Sequence, residues 1–270
     1  MEVRGPTAPT QGSRDAWFRL LGPPEVRGRD RHVWFRSHRQ RAVFAALALN
    51  ANRVVTLDRL VDVVWRDHPP PTARTQVHKA VSTLRPLLAG VFTDGGCRIA
   101  TVFPGYVLCC GPDDVDAEVF EREVRSATLA AGDGRLEEAA TLFRAALARW
   151  YGRALDGVPG MVADATRLED QRLVALEDWA AVELALGRSG DLATELDASV
   201  AAHPLRERLR ALHMIALYRC GRRAEALQAY RAAREVLRDE LGLEPGVELR
   251  RIEHAILTGA PAEELSVVTR

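Results

Sequence analysis

Three consecutive prolines, Pro69-Pro70-Pro71, stand between two stretches whose apolar residues recur at helical spacing. Proline lacks the N–H a helix needs and its ring crowds the preceding turn, so no helix can run through this point. Upstream, Leu57, Leu60, Val61, Val64 and Trp65 form one apolar face behind Thr56, a good capping residue, with Asp58 near the positive end of the helix dipole. Downstream, Thr72 is a candidate cap, and Val77, Val81, Leu84 and Leu88 form a stripe. The chain is thereby forced into helix, short stiff turn, helix. An earlier helix is expected from about His38 to Ala51, where Ser37 and Gln40 have the form of a capping box and Val43, Phe44, Leu47, Ala48 and Ala51 follow at helical spacing.

The stripe on the third helix turns Arg74, Thr75, His78, Lys79, Ser82 and Arg85 outward. These side chains are cationic or hydrogen-bonding, with no carboxylate among them, which suits the base edges and phosphates of a DNA major groove. An ordinary solvated face mixes in Asp or Glu. Pro86 should remove the bond to the Ser82 carbonyl at roughly 3 kcal/mol, so a kink is expected there, or an end to the binding segment near Arg85.

Short strands flank these helices. Trp17–Leu21, Glu25–Arg27 and His32–Phe35, separated by Gly22-Pro23-Pro24 and a polar turn, read as a small antiparallel sheet. Cys97–Thr101 and Tyr106–Cys109 flank Phe103-Pro104-Gly105 and read as a hairpin. Sheet, three helices and a two-stranded wing, in that order, describe a winged helix-turn-helix. Its third helix would enter the major groove while the wing touches the backbone or the minor groove.

The overall charge of zero conceals a division at Gly111-Pro112-Asp113-Asp114. Residues 1–112 carry 16 Lys and Arg against 8 Asp and Glu, whereas 113–270 carry 21 against 29. A basic module joined to an acidic one fits a nucleic-acid reader attached to a partner-binding domain. At 270 residues the chain is long enough for two self-sufficient cores.

The acidic half reads as helical. Gly134 is followed by Ala139, Phe143 and Ala146, and Gly221 by Ala226, Tyr230 and Ala233, at identical offsets. A turn glycine followed by small, aromatic and small residues is how a tetratricopeptide-like (TPR-like) repeat packs one helix closely on another. Gly190 followed by Ala202 reads as a weaker third copy, a long helix is expected from about Ala163 to Leu186, and Pro245 can occupy the first turn of the last helix. The expected fold is therefore mainly α with a small antiparallel β component: an N-terminal winged helix-turn-helix, then an all-α TPR-like domain. Expected divisions are a disordered tail at 1–15, the winged helix at 16–112, the helical domain at 113–258 and a tail at 259–270.

Several classes of chemistry are unsupported. Phosphate-binding glycine loops, the paired-histidine zinc motif and the nucleophile elbow are all absent. The four cysteines lack C-x-x-C or histidine at ligand spacing, so they read as reduced small hydrophobes, with no metal and no cofactor expected. No apolar run approaches a membrane span and no signal peptide is visible, so no membrane partner is expected and the location is cytoplasmic. An enzyme is not expected.

The stretch "LVDVVWRDHPPPTARTQVHKAVSTLRPLL" with "IATVFPGYVL", and "VDAEVFE" with the run from His203 to Leu257, resemble the Streptomyces antibiotic regulatory proteins over about residues 16–258. The resemblance implies an OmpR-type winged helix followed by a bacterial transcriptional activator domain. It further implies an activator that binds direct repeats in a secondary-metabolite promoter as side-by-side protomers and contacts RNA polymerase through sigma, alpha and other subunits. No receiver domain precedes the winged helix, so no phosphorylated-aspartate switch is expected. On this reading DNA is met by the six residues of the third helix, phosphates by Arg36, Arg39, Arg41 and Tyr106, and the wing contributes Arg98. Val102 and Phe103 stand where the family often places arginine. In OmpR-type domains the turn between the second and third helices faces polymerase, which here means Asp67, His68, Pro69, Pro70 and Pro71. A TPR-like adaptor and a repressor using the same DNA-binding domain remain the alternatives.

Overall fold

The structure, a computed structural model, describes residues 16–28, 32–35, 37–92 and 96–265. The expected tail at 1–15 and Arg36 lie outside the described residues. The fold is mainly helical with small antiparallel sheets, as the sequence implied, and the chain forms two compact units. One runs up to Arg122 and takes in Ala148–Asp170; the other joins Glu123–Leu147 to Gln171 and beyond.

In the first unit β1 (Ala16–Arg19), β2 (Glu25–Gly28) and β3 (His32–Val33) pair antiparallel in that order. Glu25 is buried in this sheet, and a buried carboxylate is tolerable only when partnered. Arg19, Arg27 and His32 supply contacts at 3.1, 3.1 and 2.7 Å.

Helix α1 (His38–Leu49) buries every residue from Ala42 to Ala48, so it forms the centre of this unit and not an amphipathic margin. The capping box does not form. Ser37 occupies the cap with extended backbone, but its side chain makes no capping bond; its carbonyl starts the helix, accepting from the Arg41 N–H at 3.0 Å. After β4 (Val55–Thr56), α2 (Leu57–Trp65) begins as expected, with Thr56 Oγ1 accepting from the Arg59 N–H at 3.2 Å. It ends at Arg66, whose φ of 54° is left-handed.

Helix α3 (Ala73–Ala89) continues through Pro86, so the helical segment does not stop near Arg85. The proline lies close enough to the C-terminus that the last turn closes beyond it: the Gly90 N–H reaches the Pro86 carbonyl at 3.0 Å, and Leu88 stays buried. Thr72 holds the cap position without a capping bond; its hydroxyl instead accepts from Gln76 Nε2 at 2.8 Å.

The hairpin is β5 (Arg98–Val102) and β6 (Gly105–Cys109), and β6 also pairs with β4. Thr56 stands opposite Gly105. A Cβ at Gly105 would lie 1.9 Å from the Val55 carbonyl oxygen, so the wing's close approach to the start of α2 requires glycine.

Chain beyond the hairpin completes this unit. Helix α4 (Asp116–Gly132) opens with Asp116, whose buried carboxylate accepts the Leu20 and Leu21 N–H groups at 2.7 and 3.2 Å. Burial pushes its pKa up to about 7 against the opposing pull of those donors. Residues 148–170 then pack on the same sheet and helices. Tyr151 and Leu155 donate N–H bonds to Leu21 and Leu20, the Tyr151 hydroxyl donates to Pro23 O at 2.6 Å, and a Cβ at Gly160 would meet Val63 O at 1.9 Å. Burial likewise pushes the Cys110 thiol up to about 12, so it is no nucleophile at neutral pH.

In the second unit, α5 (Leu136–Leu147), α6 (Val162–Ala185, from Gln171 onward), α7 (Leu192–Ala202), α8 (Glu207–Arg219), α9 (Arg223–Leu241) and α10 (Val247–Thr258) are joined by recurrent turns. Gly134 and Gly221 have φ of 78° and 75°, and each is followed by an N–H that reaches back to a helix carbonyl, Arg135 to Ala130 and Arg222 to Leu217, both at 2.9 Å. The third such turn uses Gly187 and not Gly190: Gly187 has φ of 76° and Arg188 reaches Glu183 at 2.9 Å. Only the left-handed residue needs glycine, and Gly190 lies past the turn. Ala139, Phe143 and Ala146, and likewise Ala226, Tyr230 and Ala233, are buried as their shared offsets implied.

Helix α8, buried from Leu209 to Leu217, packs against α7, α9 and α10. Helix α9 ends at left-handed Gly242, but Pro245 precedes the cap Gly246 of α10 and so stands outside that helix, not in its first turn. Residues 260–265, assigned by sequence to a tail, lie against α8: Tyr218 donates to Ala260 O at 2.8 Å, and Arg219 to Ala262 O and Leu265 O at 3.1 and 2.9 Å. Among the described residues no helix is long and apolar enough to cross a membrane.

Candidate nucleic-acid interface

Helix α3 is amphipathic in the way its sequence requires. Ala73, Val77, Ala80, Val81, Leu84 and Leu88 face the core, and Arg74, Thr75, His78, Lys79, Ser82 and Arg85 are all exposed. The six are not equivalent. Arg74 donates to Asp58 of α2 at 2.5 Å across the turn, so a carboxylate that α3 lacks is supplied from its neighbour. His78 Nδ1 lies 2.5 Å from the Tyr106 hydroxyl on the wing. Arg85 donates through Nε to Ile99 O at 3.0 Å and through a terminal nitrogen to Thr101 Oγ1 at 2.8 Å, fastening the helix to β5. The Ser82 hydroxyl donates to the His78 carbonyl at 2.9 Å. Thr75 and Lys79 extend from the helix with no polar partner among the described residues.

The remaining candidates lie around this face. Tyr106 is buried on β6 and holds His78 and, from 5.9 Å, the Arg85 guanidinium beneath the helix face. Arg98 is exposed, and strand alternation turns it to the opposite side of β5 from Ile99 and Thr101. Arg39 is exposed, with its guanidinium 5.8 Å from the Trp65 ring, and half-buried Arg41 donates to Phe35 O at 3.2 Å. Arg36 lies outside the described residues. In the turn between α2 and α3, Asp67, His68, Pro69 and Pro71 are exposed and Pro70 is half-buried, its carbonyl accepting the Ala73 N–H at 2.9 Å.

Two features escaped the sequence. From the sequence Asp58 is only a dipole partner at the start of α2, because nothing in linear spacing relates it to Arg74, 16 positions away. At the wing tip the sequence shows a missing arginine, whereas what the structure presents there is the Phe103 ring, 96% exposed.

The second unit holds a different kind of surface. A cleft of about 280 Å³ is lined by Arg144, Trp179, Glu183, Arg188, Asp191 and Glu195. Buried Glu183 already accepts from Arg144 at 3.1 Å and from Trp179 Nε1 at 3.0 Å. Among the described residues no cluster of His, Cys, Asp and Glu is placed to hold a metal ion.

Residues 115–257 match the family model of the bacterial transcriptional activator domain. Over 250 residues the chain is 36% identical to the regulatory protein DnrI of Streptomyces peucetius, covering 90% of this chain and 92% of that one. It is also 36% identical over 249 residues to the transcriptional regulatory protein EmbR of Mycobacterium tuberculosis, covering 91% of this chain and 64% of the relative. The chain thus spans less than two thirds of that relative's length. Of the regulatory protein AfsR of Streptomyces coelicolor it covers 27%, at 38% identity. A solved structure of EmbR from M. tuberculosis, in complex with a low-affinity phosphopeptide, superposes with a TM-score of 0.84 at 34% identity, covering 93% of this chain and 68% of that one.

Proposed function

This chain belongs to the Streptomyces antibiotic regulatory protein family of transcriptional regulators, and from that premise we propose that it is a sequence-specific DNA-binding activator of a secondary-metabolite gene cluster. The observation that carries this reading is the exposed face of α3, on which no carboxylate occurs and from which Thr75 and Lys79 project without a polar partner among the described residues. Hydroxyls and cations at this spacing match base edges and phosphates once the helix lies in a major groove. Lys79 and Arg74 take the DNA-facing role, with Asp58 released from Arg74 on binding. Arg85, His78 and Tyr106 fix the wing to the helix, and Arg39, Arg41 and Arg98 approach the backbone.

On this proposal residues 16–112 read the promoter, as side-by-side protomers on direct repeats, and 113–258 act on transcription. The exposed turn from Asp67 to Pro71 meets RNA polymerase, which it contacts together with the helical domain through sigma, alpha and other subunits. Three prolines give that turn a preset shape, so little chain entropy is lost on contact. The protein works in the cytoplasm, without cofactor or enzymatic step. Mobility shift of the promoter beside its own gene, at rising salt, tests the reading. A specific complex that weakens steeply with salt is expected; no specific complex at any salt favours a protein-binding adaptor. Substitutions at His68 and Pro69 are expected to impair transcription in vitro and spare DNA binding, and equal loss of both refutes the separation.

A further inference from the structure

The wing tip is chemically unlike the helix it accompanies. Residues 98–109 contain no carboxylate, and their one cation, Arg98, sits at the far end of the hairpin from the turn. The turn itself offers Phe103, 96% exposed, beside Val102, 41% exposed. Single exposed apolar residues are common on surfaces, but this ring is held on an unusually constrained mount. Val102 pairs with Gly105 across a two-residue turn, the Pro104 carbonyl accepts the Leu57 N–H at 3.1 Å, and Gly105 is pressed against β4. Arg85 and His78 tie the same hairpin to the exposed face of α3. The ring therefore projects from a rigid extension of the proposed DNA surface.

Resting on the DNA-binding reading above, we propose that Phe103 is an apolar wedge that inserts from the minor groove at a flexible pyrimidine–purine step beside the sequence read by α3. Without a guanidinium at its tip, the wing cannot read groove potential. What a ring offers in a minor groove is partial unstacking of a base step and a kink toward the major groove. Pyrimidine–purine steps yield most easily, so the wedge adds sequence preference at a position that no hydrogen bond reads. Continuity with α3 favours DNA over a protein as the occupant, because the hairpin that carries Phe103 is bonded to the exposed face of α3 through Arg85 and His78.

The test uses the full chain on a duplex carrying the promoter beside its own gene, with permanganate reactivity to detect unstacked thymines and circular permutation to measure bending. Phe103→Ala removes an exposed ring, so the fold is retained. The wild type is expected to produce a hyperreactive thymine at the edge of its footprint and a bend. Phe103→Ala should abolish both and bind about tenfold more weakly, in line with the loss of one aromatic–base stack. Phe103→Arg should recover affinity with a steeper salt dependence while leaving the thymine unreactive. If Phe103→Ala binds and bends DNA as the wild type does while Lys79→Ala weakens binding, the wedge is overturned and DNA reading by α3 stands. Normal binding and bending by Phe103→Ala with failed transcription overturns it in favour of a polymerase contact. If the wild type forms no specific complex, the DNA-binding reading falls and the wedge with it.

Discussion

The α3 surface and the helical second unit differ in how far their cations are already matched by carboxylates. In the second unit several arginines are closed into carboxylate pairs, Arg188 with Glu137 at 2.6 Å, Arg222 with Glu225 at 2.6 Å, Arg234 with Glu244 at 2.6 Å and Arg208 with Asp178 at 2.7 Å, while Arg219 is spent on backbone carbonyls. On α3 the one lysine of the chain, Lys79, has no partner among the described residues, Arg74 is held by an exposed aspartate that can let go, and Arg85 bonds to neutral oxygens and keeps its charge uncompensated. Paired charges in solvent contribute little to stability and attract little from outside. Unpaired cations on a rigid helix remain available to an external polyanion. The contrast teaches that net charge per domain is a blunt guide; what matters is whether each cation has already met its carboxylate.

The two regions should therefore fail differently. The largest effect is one of packing. Phe143→Ala, which empties a buried aromatic site of the repeat unit, should cost about 3–5 kcal/mol by thermal or denaturant unfolding; a loss below about 1 kcal/mol would mean the aligned repeats do not share a tight core. Next comes Asp116. Its proton is held more tightly in the folded chain, where its pKa is about 7, than in the unfolded chain, where the ordinary value is 3.8. Its stabilising contribution is thus present at low pH and lost as pH rises from about 4 to about 7. Asp116→Asn should flatten that part of the stability profile relative to wild type, and an unchanged profile would contradict the burial argument.

Smaller effects bear on the charges themselves. Lys79→Ala should weaken promoter binding evenly across sequences and reduce the slope of log K against log salt by about 1. Asp58→Asn should tighten binding by at most about fivefold, since it frees Arg74 from an exposed pair of small worth. Weaker binding would show that Asp58 orients Arg74 and does not restrain it. Arg188→Ala should change neither DNA binding nor unfolding measurably, and a clear loss of binding would erase the distinction between the two surfaces.

Much of this was legible in the sequence, for reasons of range. The prolines, the apolar stripe of α3, the hairpin turn and the offsets after Gly134 and Gly221 are all local, so spacing alone located them. The return of residues 148–170 to the first unit was not legible, because Gly160 against Val63 and Tyr151 against Pro23 are contacts between segments far apart in the chain. The third repeat turn was misplaced by three residues because Gly187 and Gly190 are indistinguishable until φ is known. On the candidate face, the spacing of the apolar stripe makes the six positions of α3 legible as exposed, but not their division of labour. Which of them bond to Asp58, Thr101 or Tyr106 depends on elements that only the fold brings alongside.

The central claim is that the exposed face of α3 reads promoter DNA. A footprint with the triple variant Arg74→Ala, Lys79→Ala and Arg85→Ala tests it most directly. All three side chains are exposed and Arg85 ties only the wing hairpin to α3, so the core should fold, as circular dichroism and thermal unfolding would check, and the variant, like Arg74→Ala with Lys79→Ala alone, should lose protection of the promoter beside its own gene. A folded variant that leaves the wild-type footprint unchanged contradicts the account.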